Sequence, residues 1–344
     1  MMIKTAIGIS LSLIICAGFA CKTVKQNFTQ KISIANKKIF INKTPYYIKG
    51  ICYHPVEIGE TTRNFKQLDK DLTLMREAGI NTIRVYQPID NKEVLDKIHN
   101  AGIKLIIGIG YNQDGNFDIL TGTYLDYIEK YKNHPAILIW ELGNEYNYHP
   151  EWFGGDIQNW YNAINSASKA IKQIDSNHLV STAHGEMPSR ELIAALTDLD
   201  IWGLNIYRWD QPQTVFQEWK SLTDKPVYLS ESGADSYMKI SKAGFEEGVN
   251  QNAQAKANAT IIDSVFKYSH LNAGMVIFSF TDGWWKAGNP NKQDVGGWAP
   301  NSSGVPYDGA PNEEYWGIVD IYRNKKQTFD TIKKRFNSFP LNHK

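Results

Sequence analysis

Two carboxylic acids stand where an apolar, strand-like run gives way to a loop. The first closes the stretch Asn133-His134-Pro135-Ala136-Ile137-Leu138-Ile139-Trp140-Glu141-Leu142-Gly143-Asn144-Glu145. Its run Ile137 to Trp140 is continuously apolar, the pattern of a strand buried on both faces, and the run stops on Gly143 so that Asn144 and Glu145 reach the loop. The second lies in Pro226-Val227-Tyr228-Leu229-Ser230-Glu231-Ser232-Gly233-Ala234-Asp235, where Glu231 follows another apolar run. In an α/β barrel the carboxyl ends of the strands form the catalytic face, so both acids sit where reaction chemistry is done.

The first stretch closely resembles the acid/base motif of the retaining glycoside hydrolases of clan A, most of all the catalytic barrel of glycoside hydrolase family 2. There, Asn-His-Pro, an apolar strand and Gly-Asn-Glu set the proton donor at the end of the fourth strand. The resemblance implies that Glu145 is the acid/base and Glu231 the nucleophile. Cleaving a glycosidic bond with retention takes one carboxylate to attack the anomeric carbon and one carboxylic acid to protonate the leaving oxygen, held about 5 to 5.5 Å apart. The site must therefore push the two pKa values apart, with cations near one acid and apolar or anionic surroundings near the other. Glycosylation then removes the charge of Glu231, and Glu145 ionises to activate water.

The same resemblance extends to the neighbours. Asn144 is similar to the clan residue that hydrogen-bonds the sugar 2-hydroxyl, and Tyr207 to the sixth-strand Tyr that donates to the nucleophile. Arg84, in Asn81-Thr82-Ile83-Arg84-Val85-Tyr86, is a charge within a buried strand. It must be paired; the family role is to keep the nucleophile ionised, and the alternative is a structural ion pair. His54 and His184 are candidates for substrate hydroxyls or for structural hydrogen bonding, and Asn205 points to the same end. Ten Trp and 18 Tyr suit a sugar cleft, because pyranose rings have apolar faces that stack on aromatic rings. Trp285 matches the family's sugar platform, while Trp152, Trp209 and Trp298 are candidates for outer subsites.

Positioning these groups takes a (β/α)8 barrel. Eight strand candidates alternate with helical patterns: Tyr47 to Cys52, Thr82 to Tyr86, Lys104 to Ile109, Ile137 to Leu142, Leu179 to Ala183, Ile201 to Ile206, Val227 to Ser230 and Met275 to Phe280. Between them Phe65, Leu68, Leu72 and Met75 recur at helical spacing before Gly79, and Val94, Leu95 and Ile98 do so before Gly102. Asp156 to Ile174 is a longer amphipathic segment. Ahead of the barrel, Ile32 to Ile34 and Lys38 to Ile41 read as a hairpin capping its bottom. The Gly-, Asn- and Pro-rich stretch from Asp282 to Asn312 is long enough to predict a functional loop, one wall of the cleft. Full family 2 enzymes carry β-sandwich domains before the barrel, for which 344 residues leave no room.

Lys plus Arg is 37 against 36 Asp plus Glu, so no nucleic-acid partner is indicated. Lys4, the apolar run Ala6 to Phe19 and Gly18-Phe19-Ala20-Cys21 have the three regions of an export signal, too short for a membrane span of about 20 residues. Ala20-Cys21 resembles a loose lipoprotein box, with Gly18 where the pattern prefers Leu. Lipidation of Cys21 and membrane anchoring are thus expected, with plain cleavage after Ala20 as the alternative. Residues 1–20 are then a signal, 21–30 a tether and 31–340 the catalytic barrel. Of three cysteines, Cys52 reads as a small buried side chain. Neither Gly-x-Gly-x-x-Gly nor His-Glu-x-x-His occurs, so no cofactor or metal is expected.

A monomeric, exported, retaining β-glycoside hydrolase is the leading expectation. Tyr46 to Gly50 and Gly79 to Tyr86 also resemble the fungal-type β-1,3-glucan transglycosylases, which makes a β-glucan the leading substrate. Transfer of the glycosyl group to another sugar is the first alternative. A carbohydrate-capture lipoprotein on an inactive barrel is the second.

Overall fold

The computed structural model describes residues 30–111, 116–208, 211–295 and 307–340. Cys21, Trp209 and Trp298 lie outside the described residues, as do the leader and nearly all of the tether. Strands β1 (Ile32–Ala35), β2 (Lys38–Ile41) and β3 (Thr44–Tyr46) form an antiparallel sheet. The sequence reads as a two-stranded hairpin here, with Thr44 and Pro45 after it. Pro45 instead pairs opposite Phe40 on an edge strand, where its missing N–H breaks no ladder. Ile32 and Ile39 of this sheet pack in one cluster with Ile48, Leu179, Ile201 and Ala273 at the starts of the barrel strands. The sheet closes the barrel's bottom.

The barrel follows as β4 (Ile48–Cys52), β5 (Thr82–Val85), β6 (Lys104–Ile109), β7 (Ile137–Asn144), β8 (Leu179–Gly185), β9 (Trp202–Asn205) and β10 (Val227–Ser232). A small ribbon of β11 (Tyr237–Met238) and β12 (Gly248–Val249) precedes the eighth barrel strand, β13 (Gly274–Ile277). All barrel pairings are parallel, and β13 joins β10 to β4 to close the ring. The eight apolar runs become the eight strands because each is buried on both faces, one toward the barrel axis and one toward the helices. On β5, for example, Ile83 and Val85 join the outer core, whereas Arg84 points inward.

Helices α1 (Leu68–Glu77), α2 (Lys92–Asn100), α3 (Tyr124–Tyr131), α4 (Ile157–Ile174), α5 (Arg190–Ala195), α6 (Thr214–Leu222), α7 (Gln251–Lys267) and α8 (Gln327–Ser338) cover the strands. In α1 the buried residues Leu68, Leu72 and Met75 form the inward stripe. The helix stops at Gly79, whose φ of +77° lets its N–H reach Arg76 O while Ile80 N–H reaches Met75 O, satisfying two terminal carbonyls. In α4, Trp160, Ile164 and Ile171 are buried and Ile157 is half-buried.

Candidate active site

The geometry of the first carboxylate begins with a bulge. Strand β7 runs two residues past the expected Leu142, and its register with β8 shifts between Leu142 and Asn144. Gly143 makes the shift at φ +69°, and the strand is thereby re-aimed so that Glu145, itself at φ +55°, enters the cavity. A Cβ on Gly143 would lie 2.4 Å from the Trp160 ring. Gly143→Ala is therefore expected to destabilise the protein by about 2–4 kcal/mol, the sum of left-handed strain and overpacking, read as a lower denaturation midpoint.

Beneath the cavity Arg84 organises the acids. Its guanidinium is fully buried and donates from Nε to Glu141 Oε1 at 2.6 Å, from Nη1 to Glu231 Oε1 at 2.6 Å and from Nη2 to Asn144 Oδ1 at 2.7 Å. Burial opposes its charge, but Glu141, Tyr86 and Glu231 outweigh that and hold its pKa well above the ordinary value. Glu231, inside β10, accepts two more bonds: Tyr86 Oη to Oε1 at 2.7 Å and Tyr207 Oη to Oε2 at 2.8 Å. Glu141 has its second oxygen bound by Tyr228 Oη, and burial raises its pKa against the pull of Arg84.

Glu145 lives in a different field. Burial and the charge of Glu231 push its pKa up to about 7, with Asn205 and Arg84 pulling weakly the other way. Asn205 is itself held, donating to Asn144 Oδ1 at 3.1 Å and accepting from Ser230 Oγ at 2.7 Å. Since Asn144 Oδ1 accepts from both Arg84 and Asn205, the orientation of that amide is set and its NH2 end is left for the cavity.

The cavity has a volume of about 580 Å³. Of the residues singled out from sequence, His54, Asn144, Glu145, Asn205, Tyr207, Glu231 and Trp285 line it together, with Arg84 directly underneath. The His54 ring tilts over Trp285 with centroids 4.9 Å apart, and burial, Arg63 and Lys286 push its pKa down to about 4, leaving it neutral. His184 lies outside the cavity lining. Side chains alternate along β8, and His184 falls on the outer face, its ring 6.3 Å from Trp202 and its Nδ1 donating to Glu186 O at 3.0 Å. From the Asp282 to Asn312 segment, Gly283, Trp285 and Lys286 line the cavity. Cys52 is buried at its floor, its thiol pushed up to about 12 by burial.

Sequence reasoning missed several neighbours. Tyr86 was signalled by its place two residues after Arg84, on the same face of one strand. Glu141 was signalled as a charge inside an apolar run. Phe278, Glu313 and Trp316 line the cavity without any local pattern that marks them.

A family model described as a glucanosyltransferase matches residues 21–255. Mouse β-glucuronidase is 26% identical over 226 residues, covering 60% of this chain and 34% of its own length. Human β-glucuronidase is 24% identical over 237 residues, covering 63% and 34%. The chain thus spans about a third of the length of these curated relatives. Among solved structures, a family 2 β-galacturonidase from Eisenbergiella tayi bound to galacturonate has a TM-score of 0.66 at 21% identity, over 90% of this chain and 55% of that one. Bacteroides uniformis β-glucuronidase 2 has a TM-score of 0.68 at 18% identity, over 90% and 37%. These structures share the barrel.

Proposed function

The chain belongs to the glucanosyltransferase family, glycoside hydrolase family 72, and from that premise we propose that it cleaves a neutral β-glucan with retention, Glu231 attacking and Glu145 serving as acid and then base. What supports this is the contrast of two carboxyls in one cavity. Glu231 receives three hydrogen bonds, one from a guanidinium, whereas burial and Glu231 push Glu145 up to about 7.

In the first step a Glu231 oxygen forms a bond to the anomeric carbon as the glycosidic C–O bond breaks, and the Glu145 proton goes to the departing oxygen. Charge leaves Glu231 when the ester forms, so its push on Glu145 disappears and Glu145 becomes a base. Glu145 then takes the proton of an incoming hydroxyl, whose oxygen bonds the anomeric carbon from the face the leaving group vacated as the bond to Glu231 breaks. The Asn144 NH2 is placed for the sugar 2-hydroxyl. The incoming hydroxyl belongs to water in the hydrolytic form of the reaction. A sugar acceptor is the second reading, favoured by the family's description; products longer than the substrate at high oligosaccharide concentration are its signature.

The charge balance supports a neutral sugar. Among the described residues lining the cavity, Lys286 is a cation, and it is engaged by Glu313 at 2.7 Å. Arg84 is committed to Glu141 and Glu231, and Arg208 at the rim to Glu186 at 2.7 Å. A uronate would bring a further carboxylate among these acids. On a panel of β-1,3-glucan, β-1,4-glucan, mannan, galactan and β-glucuronides, turnover of a β-glucan is expected, with kcat/KM for glucuronides at least about 10²-fold lower. Preferred turnover of glucuronides would overturn the neutral-sugar reading.

Glu145 must carry a proton to act as the acid. Its raised pKa keeps it protonated below about 7, so kcat/KM is expected to fall as pH rises through about 7, and this limb is expected to vanish from the residual activity of Glu145→Gln. The unfolded chain releases this proton at lower pH than the native one. The stability contributed by protonated Glu145 is therefore lost as pH rises through about 7, and Glu145→Gln is expected to gain stability relative to wild type above that pH, read by thermal unfolding.

A further inference from the structure

We propose that Tyr148, His149 and Trp152, on the loop after β7, form an aromatic subsite for sugar rings on the leaving-group side, so that the ligand is a β-linked oligosaccharide and not the glycoside of a small alcohol. This rests on the assignment of Glu145 as the acid. An acid protonates the leaving oxygen, so chain that continues directly from Glu145 borders the departing part of the substrate.

The loop is wound tightly onto that acid. Tyr148 N–H donates to Glu145 O at 3.0 Å, His149 N–H to Tyr146 O at 3.0 Å and Trp152 N–H to His149 O at 3.1 Å. Asn147 buckles it to the end of β8, donating to Gly185 O at 3.1 Å and accepting from Gly185 N–H at 2.9 Å. The Tyr148 ring fills the space a side chain at Gly185 would take, since a Cβ there would lie 2.2 Å from it.

Within this frame the His149 and Trp152 rings stack at 3.9 Å and 6° between planes. Tyr146 backs the pair, edge-on to Trp152 at 5.3 Å and packed on Trp160 at 4.9 Å. The support is rigid, yet Trp152 remains 54% exposed and Tyr148 44%. Tyr148 and His149 line the same cavity as Glu145 and Glu231, which makes the aromatic surface a continuation of the cleft. Its volume of about 580 Å³ is in the range that holds ligands of several rings. Glu186, also on the lining, has its carboxylate held by Arg208 Nε and Nη2 and presents acceptors to hydroxyls beside the rings. Stacking faces next to fixed acceptors are what a pyranose, with apolar faces and hydroxyl edges, recognises.

The test uses the full chain carrying Glu231→Gln, so that ligand is bound but not consumed. The disaccharide and hexasaccharide of β-1,3- and β-1,4-glucan are titrated calorimetrically against this protein and against the same protein with His149→Ala, Trp152→Ala or His149→Phe added. The affinity gained from disaccharide to hexasaccharide is expected to fall about tenfold in the two alanine variants and to be restored by His149→Phe, which keeps a ring on Trp152. Unchanged unfolding midpoints are expected at these solvent-facing positions. Equal hexasaccharide affinity in all variants overturns the subsite, whatever the native enzyme turns over. If the native enzyme turns over no glycan while the alanine variants lose hexasaccharide affinity, the subsite stands and the catalytic reading falls. If no oligosaccharide binds the parent, the subsite is overturned.

Discussion

Glu231→Ala is expected to lower turnover of the preferred glucan by at least about 10⁴-fold, a loss of about 5.5 kcal/mol of transition-state stabilisation. The variant lacks the atom that bonds the anomeric carbon, and no other acid occupies its position above Arg84, Tyr86 and Tyr207 among the described residues. Glu145→Ala behaves differently. It keeps the nucleophile, so a substrate with an activated aryl leaving group is expected to form the glycosyl-enzyme without an acid, and azide, an anion that attacks without base assistance, then displaces Glu231 and releases a β-glycosyl azide. Identification of that product by NMR establishes retention and separates the two roles. Equal activity in wild type and both variants would remove the active site as assigned.

Arg84→Met is expected to destabilise the protein by about 3–5 kcal/mol and to depress activity with it, because one substitution leaves two buried carboxylates without their shared cation. Glu141 and Glu231 both sit 2.6 Å from the guanidinium and are 1% and 5% exposed, so neither is compensated by water. Without Arg84 to oppose burial, Glu141 takes up a proton in the native state more readily than in the unfolded chain. Its folded pKa then exceeds the unfolded one, so stability is retained at low pH and is lost as pH rises through the raised value. The gap from wild type in thermal unfolding should therefore widen with pH. Adding Glu141→Gln removes one orphan charge and is expected to recover much of the stability but not the activity, since Glu231 still lacks its cation. Recovery of both would show that Arg84 acts on structure alone.

The strands and the two acids were legible because their determinants are local. A strand buried on both faces must be apolar along its length, and the eight runs, from Tyr47 to Cys52 through Met275 to Phe280, stand out by that alone. Two differences from the sequence reading have local causes too: the Gly143 bulge lengthens β7 by two residues, and Pro45 is tolerated on an edge strand. The two readings of His184 stayed open in the sequence because a strand's period of two assigns faces only once it is known which of its residues point inward.

A charge at Arg84 within an apolar strand requires a partner, but the sequence does not say which. That Glu141, Asn144 and Glu231 converge on it was decided by barrel closure, which brings β5, β7 and β10 to one axis. The same holds for Tyr86 and Tyr207 on Glu231, and for the Lys286 pair with Glu313 that leaves no described lining cation free for a uronate. Sequence by itself determined the fold class and where carboxyl groups leave buried strands, because burial pattern follows residue chemistry along the chain. Only tertiary structure decided which groups face each other across the barrel, because those distances depend on closure and register, and it is those distances that set the fields separating one carboxyl from the other.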